Sequence, residues 1–142
     1  MFRVMKASEE DVAKIKLFLN SIEAVKTIDE VVLLNASIIL DHEDCIVGVI
    51  SFEQFSKNGL IRYFIFKKYI QDDVIKELFG SMVETAKEFK LESLFTIIVD
   101  HDVSSLFFEL GFEEVNKEKF FIEEDNILNT KYRDSKIMLL PV

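Results

Sequence analysis

Gln71, Asp72 and Asp73 stand side by side where an apolar run ends and a long amphipathic one begins, with Lys67, Lys68 and Lys76 around them. A helix start presents unpaired backbone N–H groups and the positive end of the helix dipole, so it attracts anions such as phosphate. Here two carboxylates fall in the first turn, where they serve as caps and complement the dipole. An anionic ligand meets like charge there, worth about 1–4 kcal/mol at roughly 4 Å depending on effective dielectric. The three lysines offset part of that. An ordinary acid-capped helix and a modified anion site both fit the stretch.

Other side chains able to do chemistry are few. Glu53 and Glu109 are candidate proton acceptors, and His101, on a loop after a buried run, suits acid–base work. Ser104 and Ser105, nearby, are poor acids. The single cysteine, Cys45, excludes an internal disulfide and reads as a small buried hydrophobe within CIVGVI. His42 sits in the acidic turn Asp41-His42-Glu43-Asp44, which lacks metal-ligand spacing, so no metal site is expected.

The elements that position these residues follow from periodicity. Residues 2–7 read as a strand with Phe2, Val4 and Met5 inward. Ser8 and Asp11 start a helix carrying Val12, Ile15, Phe18, Leu19 and Ile22 on one face. A second short helix covers 29–35. Strands at 37–40, 45–55 and 60–66 follow, with Asn58-Gly59 as the expected hairpin turn. The helix over 72–89 presents Val74, Ile75, Leu78, Phe79, Met82, Val83, Ala86 and Phe89 as one apolar face. A buried strand over 93–99, a short helix over 103–110 stopped by Gly111, and strands at 114–122 and 136–140 complete the chain. The order β-α-α-β-β-β-α-β-α-β-β describes a mixed α/β (α+β) single domain over 1–142. Its strand–helix–strand unit at 60–99 implies a central parallel pair.

A net charge of −9 makes nucleic acid a poor partner, because binding it depends on neutralising phosphates, and favours cationic ligands instead. No apolar run reaches the length of a membrane span. The start, MFRVMKASEEDV, turns acidic too soon for a secretory signal, so a cytoplasmic location is expected.

Three stretches, taken in order, resemble the GCN5-related N-acetyltransferase (GNAT) superfamily over nearly the whole chain. CIVGVISFE, residues 45–53, is similar to the family's third strand with its glycine, Gly48. YFIFKKYIQDDVIKEL, residues 63–78, is similar to its fourth strand, phosphate loop and following helix. DHDVSSLFFELGF, residues 100–112, is similar to its acyl-site helix ending in Gly-Phe. The resemblance implies acetyl-CoA as acyl donor and a small-molecule or peptide amine as acceptor. It also implies a splayed parallel pair of central strands, with the backbone of Phe64, Ile65 and Phe66 binding the pantetheine arm and thioester. Gln71, Asp72, Asp73, Val74, Ile75 and Lys76 then form the pyrophosphate loop.

The family's loop has Gln or Arg, two variable residues, Gly, a variable residue, then Gly or Ala. Gln71 matches, while Val74 and Lys76 replace the two small residues that let phosphate approach the backbone. Phe107 occupies the place of the tyrosine that in many members protonates the leaving thiolate, and Asp100 that of a frequent Asn. The catalytic roles then fall to Glu53 as base and His101 as acid. Two readings stand beside each other: an acetyl-CoA-dependent N-acetyltransferase, and a catalytically inactive GNAT-like binding or regulatory module that has lost CoA. In a third, the apolar gap holds a different small ligand. A homodimer through an exposed edge of the last strand is an expected assembly.

Overall fold

A computed structural model describes residues 1–22, 25, 27–98, 104–122 and 125–142. Its strands are β1 (Arg3–Lys6), β2 (Ser37–Leu40), β3 (Ile46–Phe55), β4 (Asn58–Phe66), β5 (Ser93–Ile98), β6 (Glu113–Glu114), β7 (Phe121–Ile122), β8 (Asp125–Asn126) and β9 (Lys136–Pro141). The helices are α1 (Val12–Asn20), α2 (Glu30–Leu33), α3 (Asp72–Glu88) and α4 (Ser104–Glu109). Seven strands form one mixed sheet in the order β1-β2-β3-β4-β5-β9-β6, and β7 and β8 pair separately. β4 and β5 pair in parallel, as the strand–helix–strand pattern implies. The β1–β2, β2–β3, β5–β9 and β6–β9 pairs are antiparallel. No helix of the described residues is long and apolar enough to cross a membrane.

The chain forms two compact units, Met1–Glu53 with Arg62–Thr85, and Gln54–Ile61 with Ala86–Val142. In the first, period-two alternation sends Ile38 and Val49 to one sheet face, where they meet Ile15, Phe18 and Leu19 of α1 and Leu33 of α2. The expected capping contact is present, with Asp11 Oδ2 accepting the Ser8 N–H at 2.8 Å, but it starts a 3₁₀ turn over Glu9–Asp11 that leads into α1. Ile75, Leu78, Phe79 and Met82 form the buried stripe of α3, which touches β2 through Ser37 Oγ and Ser81 Oγ at 2.8 Å.

Gly48 lies on that second face, opposite Ile39 in the ladder. A Cβ built on Gly48 would stand 2.6 Å from Ile39 Cδ1 and 3.3 Å from Phe66 Cβ. Ile39 is fully buried and has little room to yield. Gly48→Ala is therefore expected to destabilise the chain by about 1–3 kcal/mol, read as a lower urea midpoint at unchanged slope.

Three inward placements expected in this unit or at the end of α3 are corrected. Met5 and Phe89 are exposed, and α3 ends at Glu88, one residue before Phe89. Cys45 is exposed too. It precedes β3 and belongs to a turn closed by Asp41, whose Oδ1 accepts the N–H groups of Glu43 and Cys45 at 2.9 Å each. Those donors, Cys45 first, hold the Asp41 carboxyl below its ordinary value.

The second unit is centred on Phe95, Phe120, Ile127 and Ile137, with Phe95 edge-on to Phe120 at 5.0 Å. The hairpin turn falls at Ser56-Lys57, not at Asn58-Gly59, and Ser56 takes the positive φ of 56°. Asn58 and Gly59 are drawn into β4 by pairing with Ser93 and Leu94, and Ser93 Oγ donates to Asn58 Oδ1 at 2.5 Å. The strand expected over 114–122 is broken. Asn116 Oδ1 accepts the Glu118 N–H at 3.0 Å and sets a 3₁₀ turn between β6 and β7. β9 is not an edge strand either: β5 and β6 flank it, which corrects the expected free edge for a homodimer.

Candidate active site

The first unit holds the residues with the most chemistry, and β4 arranges them. Tyr63 has φ +57°, a left-handed conformation that costs an aromatic residue about 1–3 kcal/mol. Over the described residues the parallel ladder joins only Asn58–Leu60 to Ser93–Phe95 and ends before this irregularity. An irregular residue in a strand also breaks the in–out alternation. Arg62 and Tyr63, adjacent in sequence, accordingly turn to the same face. The guanidinium lies 5.1 Å from the Tyr63 ring centre, and Arg62 Nη2 is 3.3 Å from Tyr63 Oη.

That face carries a polar cluster. Arg62 Nη1 donates to Glu53 Oε1 at 2.5 Å, and both side chains are about one-third exposed. Glu53, expected as a base, is thus committed to a cation. The Asp29 N–H donates to Tyr63 Oη at 2.8 Å, fixing the start of α2 over β4. Asp29 Oδ1 in turn accepts the Val31 N–H at 3.2 Å as the cap of α2. Lys16 of α1 pairs with Glu30 of α2. Lys16, Thr27, Asp29, Glu30 and Arg62 line an open, largely polar cavity of about 680 Å³.

Beyond the irregularity, Ile65 packs on the α1 side, and the Phe64 and Phe66 rings meet at 5.6 Å. Lys67 continues the alternation, and its ammonium lies 5.7 Å from the Phe18 ring centre, on the α1 side. It does not contribute to the α3 start as expected. Gln71, not an aspartate, caps α3: its carbonyl accepts the N–H groups of Val74 and Ile75, both at 3.1 Å. Asp72 and Asp73 are the first two helical residues. Both are exposed, as are Gln71, Lys68 and Lys76, while Val74 is half-buried and Ile75 buried. Among the described residues, neither carboxylate nor the ammonium groups of Lys68 and Lys76 have an ion-pair partner. The first turn of α3 is therefore solvent-exposed, and among the described residues neither acid is hydrogen-bonded to it.

In the second unit, Phe107 is 5% exposed and edge-on to Phe112 at 5.2 Å. Gly111, at φ +101°, ends α4 as its position predicts. Glu109 is exposed. His101 and Asp100 lie outside the described residues. Among the described residues no group of three or more His, Cys, Asp or Glu is placed to hold a metal.

Sequence reasoning missed Arg62, Lys16, Thr27 and Asp29 as one constellation. One signal was available: Arg62 interrupts the apolar run LIRYFIF, where a charge has no place unless something receives it.

No protein-family profile matches the chain, and no curated protein matches it. Solved structures do. N-acetylglutamate synthase from Neisseria gonorrhoeae, complexed with coenzyme A and L-arginine, is 16% identical with a TM-score of 0.74, over 99% of this chain and 33% of that one. This chain thus spans about a third of the length of that synthase. A GNAT-family acetyltransferase from Staphylococcus aureus is 15% identical with a TM-score of 0.71, over 99% of both chains. One from Streptococcus pneumoniae is 17% identical with a TM-score of 0.70, over the full length of both. With its strand order, its interrupted fourth strand and the helix that follows, the chain has the fold of the GCN5-related N-acetyltransferases.

Proposed function

We propose that the chain is an acetyl-CoA-dependent N-acetyltransferase acting on a small-molecule amine. The observation that carries this reading is the exposed first turn of α3, which follows a strand whose parallel pairing ends at Leu60 and whose backbone turns left-handed at Tyr63. The described residues fit the cofactor. Among the described residues neither Asp72 nor Asp73 is hydrogen-bonded to the first N–H groups of α3, and Lys68 and Lys76, near that turn in sequence, are exposed with no ion-pair partner. Lysine charge there takes over the phosphate neutralisation that glycine-exposed backbone supplies elsewhere. Asp72 and Asp73 oppose it, so binding is weaker than a glycine loop would give.

Bound acetyl-CoA would supply an activated acetyl group. The chain's own residues hold the partners in place. The backbone of Phe64, Ile65 and Phe66 follows the interruption of β4. The cavity lined by Arg62 and Asp29 offers both signs of charge to an acceptor. Glu53 fixes the Arg62 guanidinium, with Tyr63 as its second anchor. Phe107 has no proton to give and acts as packing.

The test is incubation of the chain with acetyl-CoA and a mixture of small amines, followed by mass spectrometry. Acetylated product that depends on the chain, together with stoichiometric release of free thiol, is expected. Thiol release equal to that of buffer with every amine class would overturn the reading.

A further inference from the structure

The cavity between α1, α2 and β4 carries two cations and two carboxylates on its wall, but not in equal states. Lys16 and Glu30 satisfy each other. Arg62 is anchored from behind by Glu53 and Tyr63, which engage two of the five guanidinium N–H donors and hold the plane fixed. The remaining N–H donors are held in place with the plane, and a fixed guanidinium is a donor suited to a carboxylate. Asp29 is different. One of its oxygens caps α2, and among the described residues its carboxylate has no cation.

We infer that this cavity binds a zwitterionic amine of the amino-acid type, its carboxylate on Arg62 and its ammonium on Asp29. As the acceptor of the transfer, this assignment rests on the acetyltransferase reading; as a binding site it does not. Charge decides between ligand classes. Among the described residues, with Glu53 counted, three carboxylates stand against two cations, so an anion without an ammonium is disfavoured. A diamine would leave the Arg62 donors facing a second cation. A zwitterion gives Asp29 a cation and adds a second acceptor to the guanidinium that Glu53 already holds. The left-handed Tyr63 fits this assignment: it puts Arg62, which lines the cavity, and its anchor on one face.

The experiment is calorimetric titration of the whole chain, without acetyl-CoA, against the proteinogenic L-amino acids. The methyl ester and the α-hydroxy analogue of each binder, and an α,ω-diamine, serve as controls. At least one amino acid is expected to bind, with the ester and the hydroxy acid each weaker by about tenfold or more. Arg62→Met combined with Glu53→Gln, which leaves no orphaned carboxylate, should abolish the preference for acid over ester. Asp29→Asn keeps the helix cap and should abolish the preference for amine over hydroxyl. Binding of the diamine but of no amino acid, or binding indifferent to esterification, would overturn the inference. Acetylation of amines lacking a carboxylate would overturn it too and leave the transferase reading standing. Amino-acid binding by a chain that ignores acetyl-CoA would do the reverse.

Discussion

Removing both carboxylates from the first turn of α3, as Asp72→Asn with Asp73→Asn, is expected to tighten acetyl-CoA binding about tenfold and to lower the stability of the free chain. The two effects have one cause. Each carboxylate is exposed and lies at the positive end of a seventeen-residue helix. It stabilises that end by about 0.3–1 kcal/mol when no ligand is present. The same charge repels an incoming phosphate by a comparable, solvent-screened amount, and two of them together reach roughly 1.4 kcal/mol, a factor of ten. Calorimetry gives the affinity, and urea denaturation of the free variant gives the stability. Movement of both quantities in the same direction would contradict this placement of the acids.

The second large effect is structural. Phe107→Ala is expected to cost about 3–5 kcal/mol, because the ring is buried edge-on against Phe112 and its removal leaves a cavity. In a domain of this size that lowers the melting temperature by on the order of 10 °C. Phe107→Tyr tests the other role of the position. If the ring is packing, the added hydroxyl enters a buried site and destabilises by about 1–3 kcal/mol with no gain in transfer rate. A rise in rate would identify the position as catalytic after all.

Much of this arrangement was legible because it depends on strong local signals. The stripe Ile75, Leu78, Phe79 and Met82 has no helical alternative to burial, and it is buried. Gly111 at the end of α4 takes the positive φ that only glycine adopts at little cost. The misplaced features are those set by tertiary pairing. Asn58-Gly59 is a strong turn signal in isolation, yet β5 pulls both residues into β4 and moves the turn to Ser56-Lys57. Tyr63 is a good strand former, so nothing in its type announces a left-handed backbone. The site was hidden because Lys16, Asp29 and Arg62 come from three separate segments. Arg62 stands out within LIRYFIF, but Asp29 and Lys16 alone each read as an ordinary surface charge.

The most direct test of the central claim is the melting temperature of the whole chain with and without millimolar acetyl-CoA, repeated with the Asp72→Asn, Asp73→Asn variant. At about a hundred times the dissociation constant, binding adds roughly 2.7 kcal/mol, a rise of several degrees for a domain of this size. The account predicts that rise for the natural chain and a larger one for the variant. Superimposable melting curves for both proteins, with and without acetyl-CoA, would contradict it.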